Sequence, residues 1–539
     1  MTFTKFLLLI LILGIRTSYC QQSPINAVYQ YASLVGDRQA FLWIPPDCKQ
    51  VRGVIISLSN LLERNWLEDP MIRKTASEEC LAIIWVGPGK NSALTADMKP
   101  GAGETLQKMF RDLADQSGYQ EIEFAPIIAM GHSANGHFSW NIANWNASRT
   151  IAAIPVKTIP LPVSFTFENV PICYVVGETT EWPQFRVPDP ATKPGDRDFF
   201  WPVVRESATA LRTANENNLV AMVVDPGGGH FDWNINQARF LSLYIKKACK
   251  YRLPKQLPAN GQVKLIAITK ESGWLTDSGG MEPDHFDPAP YNKYKGDRKK
   301  AFWFFDEETA KAAVAFSGDR KKRDRQMLTF VQDGQQLPVA RLGFAPLKFE
   351  PATDGVTFTV EGAFLSEMPK ELIGANTPLG HAPGDIKFRV ITGPAVQTGA
   401  NIFKVQFDRA GMNGDIWLQE EHAGNNQYRH AVQPGQLRIP AKLTAGKAQT
   451  ISFPNLTDQQ VGTKSIELQA RSDSGLPVNY YVVAGPAFIE ANTLRFTTIP
   501  TKSKYPVKVT IVANQWGRTI EPLFQSAEPV TQEFFIHKK

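Results

Sequence analysis

Pro126-Ile127-Ile128-Ala129-Met130-Gly131-His132-Ser133-Ala134-Asn135-Gly136 is the stretch that decides the fold of this chain. Ile127 to Met130 is apolar and reads as a buried strand, Gly131-His132-Ser133 as an abrupt turn, and Ala134 onward as a helix. A serine on a sharp strand-to-helix turn projects its hydroxyl from the top of a parallel sheet. Backbone N–H groups at the start of the following helix then face a developing oxyanion. Ser133 is therefore a candidate nucleophile, and the rest of the sequence should supply a base, an acid and a substrate surface.

Short strand-like runs surround this stretch and alternate with helical ones, the pattern of a parallel sheet covered by helices. Phe41–Ile44 is a first strand, ended by Pro45-Pro46. Val54–Leu58 and Leu81–Val86 follow, the latter ended by Gly87-Pro88-Gly89. Glu104–Gln116 carries apolar residues at helical spacing. Beyond the central turn, Ile151–Ile154, Ile172–Val176 and Leu219–Val224 continue the strands, with helices over Arg205–Glu216 and Asn234–Lys247.

A serine hydroxyl is a weak nucleophile until a base takes its proton. Of the histidines before residue 300, His132 and His137 flank the serine and His285 lies far downstream. His230 follows the last strand on the glycine-rich loop Gly227-Gly228-Gly229. Its position after the serine is where the base falls in the order Ser…acid…His, so His230 is the expected base. The acid should lie between them, after Ile172–Val176, where Glu178 and Glu181 compete and Asp189 and Asp225 are weaker candidates. A carboxylate there would hold the imidazole tautomer and stabilise the imidazolium. The oxyanion donors are expected at the backbone N–H of Ala134 and of Asn60 or Leu61, with Ser59 as runner-up. Trp182, Trp201 and Trp233 lie near these loops and are candidate substrate-binding rings, since aromatic faces stack on sugars and aryl groups. No metal-ligand spacing and no phosphate-binding glycine loop occurs, so no cofactor is expected.

Residues 40–250 resemble the α/β-hydrolase superfamily, with the flavour of secreted polyester depolymerases and feruloyl or acetylxylan esterases. The resemblance implies a Ser133–His230–acid triad acting on carboxylic esters. One departure stands out. The superfamily's Gly-x-Ser-x-Gly places glycine two residues after the nucleophile, where this chain has Asn135, with Gly136 one further on.

At 539 residues the chain has room for several domains. Lys5 precedes the apolar run Phe6–Ile15, followed by Arg16-Thr17-Ser18-Tyr19-Cys20. That is a cleavable secretory leader over 1–20, too short to span a bilayer. Lipid attachment at Cys20 is the alternative, disfavoured by bulky Tyr19. No other stretch is long enough to cross a membrane. Cys48, Cys80, Cys173 and Cys249 remain, an even number that permits disulfides in an exported protein. Cys48 with Cys80 is the first pair to test, and Cys173 reads as a core thiol. The net charge of +6 is small for this length, and the basic run Asp319–Arg325 is interleaved with acids, so no nucleic-acid partner is expected.

The domain order expected is a hydrolase domain over 21–250, a mixed linker or extension over 251–345, and two β-sandwich-like domains over 346–446 and 447–539. Val390-Ile391-Thr392-Gly393-Pro394-Ala395 is echoed by Val482-Val483-Ala484-Gly485-Pro486-Ala487. Ser474–Val478, Val482–Ala487, Asn492–Leu494 and Ala527–Ile536 resemble bacterial surface immunoglobulin-like repeats, which implies a spacer or binding module. The expectation for the whole is a secreted or cell-surface carbohydrate esterase that removes acetyl or hydroxycinnamoyl groups from polysaccharide. A secreted peptidase or polyester depolymerase, and a non-catalytic carbohydrate-binding protein, remain open beside it.

Overall fold

The computed structural model describes residues 27–539 except 90–93, 163–165, 168, 182–203, 259–260, 278–285, 340–342, 371, 373 and 412. The expected leader, Trp182, Trp201 and Asp189 lie outside the described residues.

The central feature is an eight-stranded sheet in the order β1-β2-β4-β3-β5-β6-β7-β8. Its strands are β1 Tyr31–Val35, β2 Arg38–Trp43, β3 Gly53–Leu58, β4 Leu81–Val86, β5 Ile127–His132, β6 Thr150–Val156, β7 Ile172–Gly177 and β8 Val220–Asp225. The first two pair antiparallel as a hairpin and β2 pairs antiparallel with β4, whereas β4 to β8 and β3 run parallel. Every residue of β3 to β8 is buried. Such continuous apolar runs, rather than alternating ones, belong to a sheet covered on both faces.

Helices supply that cover. They are α1 Glu63–Leu67, α2 Pro70–Glu78, α3 Ala102–Ser117, α4 His137–Trp145, the single turn α5 Glu178–Glu181, α6 Val204–Ala214 and α7 Ile235–Arg252. Asp69 caps α2 by accepting from the Met71 and Ile72 amides, with Pro70 at the first helical position. Asn234 caps α7 in the same way, fixing where the loop after β8 ends. Strand order and helices together fit the α/β-hydrolase arrangement. Cys48 and Cys80 are joined by a disulfide, and Cys173 and Cys249 are buried free thiols.

The mixed stretch that follows packs back onto the sheet. Trp274–Thr276 and Phe302–Phe304 pair in a small sheet, and α8 Glu307–Lys322 lies near β8, with Ser317 Oγ accepting from the Val224 amide at 3.0 Å. Thereafter the chain is β-rich. Strands Ala431–Arg438, Asp415–His422 and Lys387–Thr392 form one sheet, and Val530–His537, Val507–Asn514 and Asn479–Ala484 form another.

The echo seen in sequence is a repeated backbone device. Lys387–Thr392 and Asn479–Ala484 each end in a register shift against an antiparallel neighbour. Gly393 and Gly485 then turn at φ +106° and +141°, and Ala395–Gln397 and Ala487–Glu490 leave as strands of separate sheets. Only glycine reaches that backbone region without penalty, so the Gly-Pro pair marks where a strand switches sheets.

Neither β-rich region hangs free. Tyr31 Oη donates to Ser503 Oγ at 2.6 Å, and Tyr29 bridges to Gly485. Nearer the end of the sheet where β5 finishes, Arg64 of α1 pairs with Asp408 at 2.7 Å, and Asn65 donates to the Ile391 carbonyl at 2.7 Å.

Candidate active site

Ser133 directly follows β5, at the turn, with a φ of +50°. A β-carbon makes that conformation costly, and such strain is stored where surrounding contacts over-determine it. Those contacts are visible here. Thr158 Oγ1 donates to the Ser133 carbonyl at 2.5 Å, and the Gly136 amide donates to the same oxygen at 3.0 Å. Asn135 Nδ2 donates to the Ser59 carbonyl at 2.7 Å, tying the turn to the end of β3.

Three of the expected residues meet in a line. Ser133 Oγ donates to His230 Nε2 at 2.7 Å, and His230 Nδ1 donates to Glu181 Oε1 at 2.5 Å. The second carboxylate oxygen of Glu181 accepts from the Gly177 amide at 2.7 Å. Ser133 is half-buried, whereas His230 and Glu181 are buried. Burial pushes the Glu181 carboxyl well up, and the Lys157 ammonium works against it.

Glu178, the competing acid, goes elsewhere. Its carboxylate takes Arg429 of the β-rich region at 3.0 Å and the Gly227 amide at 2.8 Å. Residues three apart on one helical turn share a face, so the partners each carboxylate meets decide which one reaches the histidine. Arg429 draws Glu178 away from the histidine, while Gly177 and His230 hold Glu181. Asp225 likewise faces its own network, accepting from Asn234 Nδ2 at 3.0 Å and 3.2 Å.

His132 is fully buried and its ring lies 5.0 Å from that of His230. Its Nε2 donates to the His230 carbonyl at 2.8 Å, which leaves Nδ1 as the acceptor facing Asn60 Nδ2 at 3.5 Å. Burial, then the neighbouring His230, holds its pKa well below the usual value, so His132 is a neutral strut under the loop. His137 points outward to Asp97 at 2.8 Å.

The oxyanion side differs from expectation. The Asn60 amide donates to Glu63 Oε2 at 2.8 Å, and the His132 amide donates to Glu63 Oε1 at 3.1 Å. The Leu61 amide also hydrogen-bonds this carboxylate. Glu63 is 1% exposed, and burial lifts its pKa to about 7 against these amide contacts. Both expected loop donors are thus turned onto a buried acid at the start of α1, while Ala134 is exposed beside Ser133. The Ser59 amide is taken by the Val86 carbonyl at 2.7 Å.

Trp233 is a correction of another kind. It is 1% exposed, its indole donates to Asp69 Oδ2 at 3.0 Å, and it meets Trp66 edge-on at 5.9 Å. It is packed into the core and anchors the loop there.

Sequence reasoning missed the buried ions beneath the His230 loop. Lys157, with φ +49° and no exposed side-chain surface, donates to the Asp232 carbonyl at 2.8 Å and pairs with Asp232 Oδ1 at 3.1 Å. Asp232 Oδ1 also accepts from the Gly229 amide at 2.6 Å. A lysine directly after a largely apolar strand was the available signal, because it needs a buried partner.

No family model and no curated protein sequence matches the chain. Its fold is similar to those of several solved structures. One is a thermostable esterase, at 14% identity and a TM-score of 0.27, covering 37% of this chain; the chain spans about half, 55%, of that esterase's length. Another is a poly(3-hydroxybutyrate) depolymerase from Bordetella parapertussis, at 12% identity and 0.28, covering 41% of this chain and 89% of the other. A third is a siderophore hydrolase from Aspergillus nidulans, at 14% identity and 0.29, covering 44% and 99%. All three are hydrolases. These are likenesses over less than half of this chain, and the chemistry of the site rests on the distances above. Among the described residues no group of His, Cys, Asp and Glu is placed to hold a metal ion, and no helix is long and apolar enough to cross a membrane.

Proposed function

We propose that the chain is a serine hydrolase of carboxylic esters. The observation that carries this reading is the unbroken line from Ser133 Oγ through His230 to Glu181, with the serine held at positive φ. Ser133 Oγ attacks the ester carbonyl carbon as its proton passes to His230 Nε2. Glu181 keeps Nδ1 protonated, so Nε2 carries the lone pair, and then faces the imidazolium. The tetrahedral intermediate collapses, the alcohol leaves with the proton from Nε2, and an acyl-serine remains. Water, deprotonated by the same nitrogen, attacks the acyl carbon and releases the carboxylic acid and free Ser133. The Ala134 amide serves the oxyanion, and the second donor comes from the Asn60–Leu61 loop once an amide turns from Glu63 to the substrate oxygen.

For substrate we retain the acetyl or hydroxycinnamoyl esters of polysaccharide, acted on outside the cell. The Cys48–Cys80 disulfide supports an oxidising compartment, as does the leader-like start of the sequence. The test is a fluorophosphonate probe, which should label the wild type and not Ser133→Ala. Equal labelling of both proteins excludes Ser133 as the nucleophile. Turnover of acetylated xylan, feruloylated oligosaccharide, an aliphatic polyester and a peptide amide then ranks the substrate classes.

A further inference from the structure

The loop that carries His230 belongs to the hydrolase sheet by sequence, yet it is held from the β-rich region at three points. At its start, Gly227 donates to Glu178, whose other oxygen is bound by Arg429. In its middle, Phe231 stands perpendicular to the His230 ring at 4.4 Å and packs against Trp417 at 4.5 Å. At its end, Gln419 closes a two-fold pair with the Trp233 backbone. The Trp233 amide donates to Oε1 at 3.2 Å, and Nε2 donates to the Trp233 carbonyl at 3.0 Å.

This last contact is what a β-strand neighbour would supply, made here by one side-chain amide. Gln419 has no exposed surface, and Nε2 is shared with Glu421 Oε2 at 3.0 Å, so its orientation is fixed. Its strand, Asp415–His422, pairs along its whole length with Ala431–Arg438. The mounting is therefore part of a sheet and not of a loop. The same β-rich region also grips α1 through Asp408 and the Ile391 carbonyl, on the far side of Ser133.

We infer that Gln419 is a positioning residue for the catalytic base, fixing the loop end so that His230 meets Ser133 and Glu181 together. The β-rich region around Gln419 is then part of the active-site apparatus and not a spacer. This rests on the reading of His230 as the base. Placement matters because a reacting group displaced by an ångström loses on the order of 100-fold in rate.

The test is the full-length Gln419→Met protein, which keeps side-chain volume and loses both hydrogen bonds. Two readouts separate placement from folding. One is kcat and KM on p-nitrophenyl acetate. The other is the far-downfield proton resonance of the His230 Nδ1–Glu181 hydrogen bond, assigned by its absence from His230→Asn. The expected result is a kcat reduced roughly 10- to 100-fold with KM little changed, and a downfield resonance that is shifted or broadened. Arg438→Ala, on the exposed edge of the neighbouring strand, should change neither. Trp417→Phe reports through Phe231 and keeps the test open if the methionine variant does not fold. Wild-type kcat and an unshifted resonance in a folded Gln419→Met protein overturn the inference, as does a wild-type spectrum without the resonance. A resonance that responds to Gln419 in a protein without ester turnover upholds the positioning role and overturns the esterase reading instead.

Discussion

Replacing Asn135 by glycine would create the Gly-x-Ser-x-Gly spacing of the α/β-hydrolase superfamily, and the structure predicts that it weakens the turn that holds Ser133. The glycines demanded by packing lie on either side of position 135. A β-carbon on Gly131 would fall 2.2 Å from the Asn135 carbonyl oxygen, and one on Gly136 would fall 2.2 to 2.4 Å from Thr158 Cβ, Cγ2 and Oγ1. Position 135 instead directs its amide to the Ser59 carbonyl at 2.7 Å. Asn135→Gly loses that hydrogen bond, worth about 1 kcal/mol. It also frees the backbone at a further roughly 0.5 to 1 kcal/mol. The sum, about 1.5 to 2 kcal/mol, falls on the strained turn that aims Ser133. If all of it appears in the transition state, kcat/KM drops by roughly 10- to 30-fold, since each 1.4 kcal/mol is tenfold. Asn135→Ala should lie between wild type and glycine, because it loses the bond but keeps the stiffer backbone. The assay is p-nitrophenyl acetate hydrolysis together with the urea concentration that abolishes fluorophosphonate labelling. A glycine variant as active and as resistant as wild type would refute the role of Asn135 as a tether.

Glu181→Gln should lower kcat by roughly 10³- to 10⁴-fold, because the amide favours the wrong imidazole tautomer. Glu178→Gln, measured in the same assay, should lower it far less while reducing resistance to urea, since Arg429 loses its buried counter-charge. Glu63 titrates from 4.5 in the unfolded chain to about 7 when folded. Its raised value means that the folded state holds the proton longer, so stability is full below the unfolded pKa and falls as pH rises toward 7. The loss approaches about 3 kcal/mol. Glu63→Gln should flatten the urea midpoint against pH across that window, and an unchanged slope would count against it. Glu420 has no exposed surface, neither carboxylate oxygen has a hydrogen-bond partner among the described residues, and burial holds its pKa well above the usual range. Glu420→Met should raise stability by about 1 to 3 kcal/mol at neutral pH, read as a higher urea midpoint for the intrinsic fluorescence change. A lower midpoint would show that the carboxyl has a favourable role that its surroundings do not reveal.

What could be read in advance was local. The elbow at Ser133 follows from four apolar residues meeting Gly131, and His230 from its place after the last apolar strand. The Gly-Pro echo at 393 and 485 was legible because the same backbone turn requires glycine both times. What could not be read depends on how side chains and turns pack. Glu178 and Glu181 look alike in sequence, and the choice between them is made by Arg429, far along the chain. Trp233 reads as a loop aromatic until Asp69 and Trp66 enclose it. The Asn60 amide reads as an oxyanion donor until the turn into α1 brings Glu63 beneath it. The first two were decided by packing between elements that the local pattern does not connect, and the third by how the turn into α1 closes on a residue three positions on.

The grip of the β-rich region on the His230 loop also has an order in time. Synthesis runs from the N-terminus, so Glu178 and Trp233 emerge well before Arg429 and Gln419, their partners across 251 and 186 residues. Until then the nascent sheet carries a carboxylate without its closer counter-ion, Arg325 standing at 3.9 Å against 3.0 Å for Arg429, and a histidine loop without its Gln419 mounting. A chain halted before Gln419 already contains Ser133, Glu181 and His230. It has the parts of the site without the frame that aligns them.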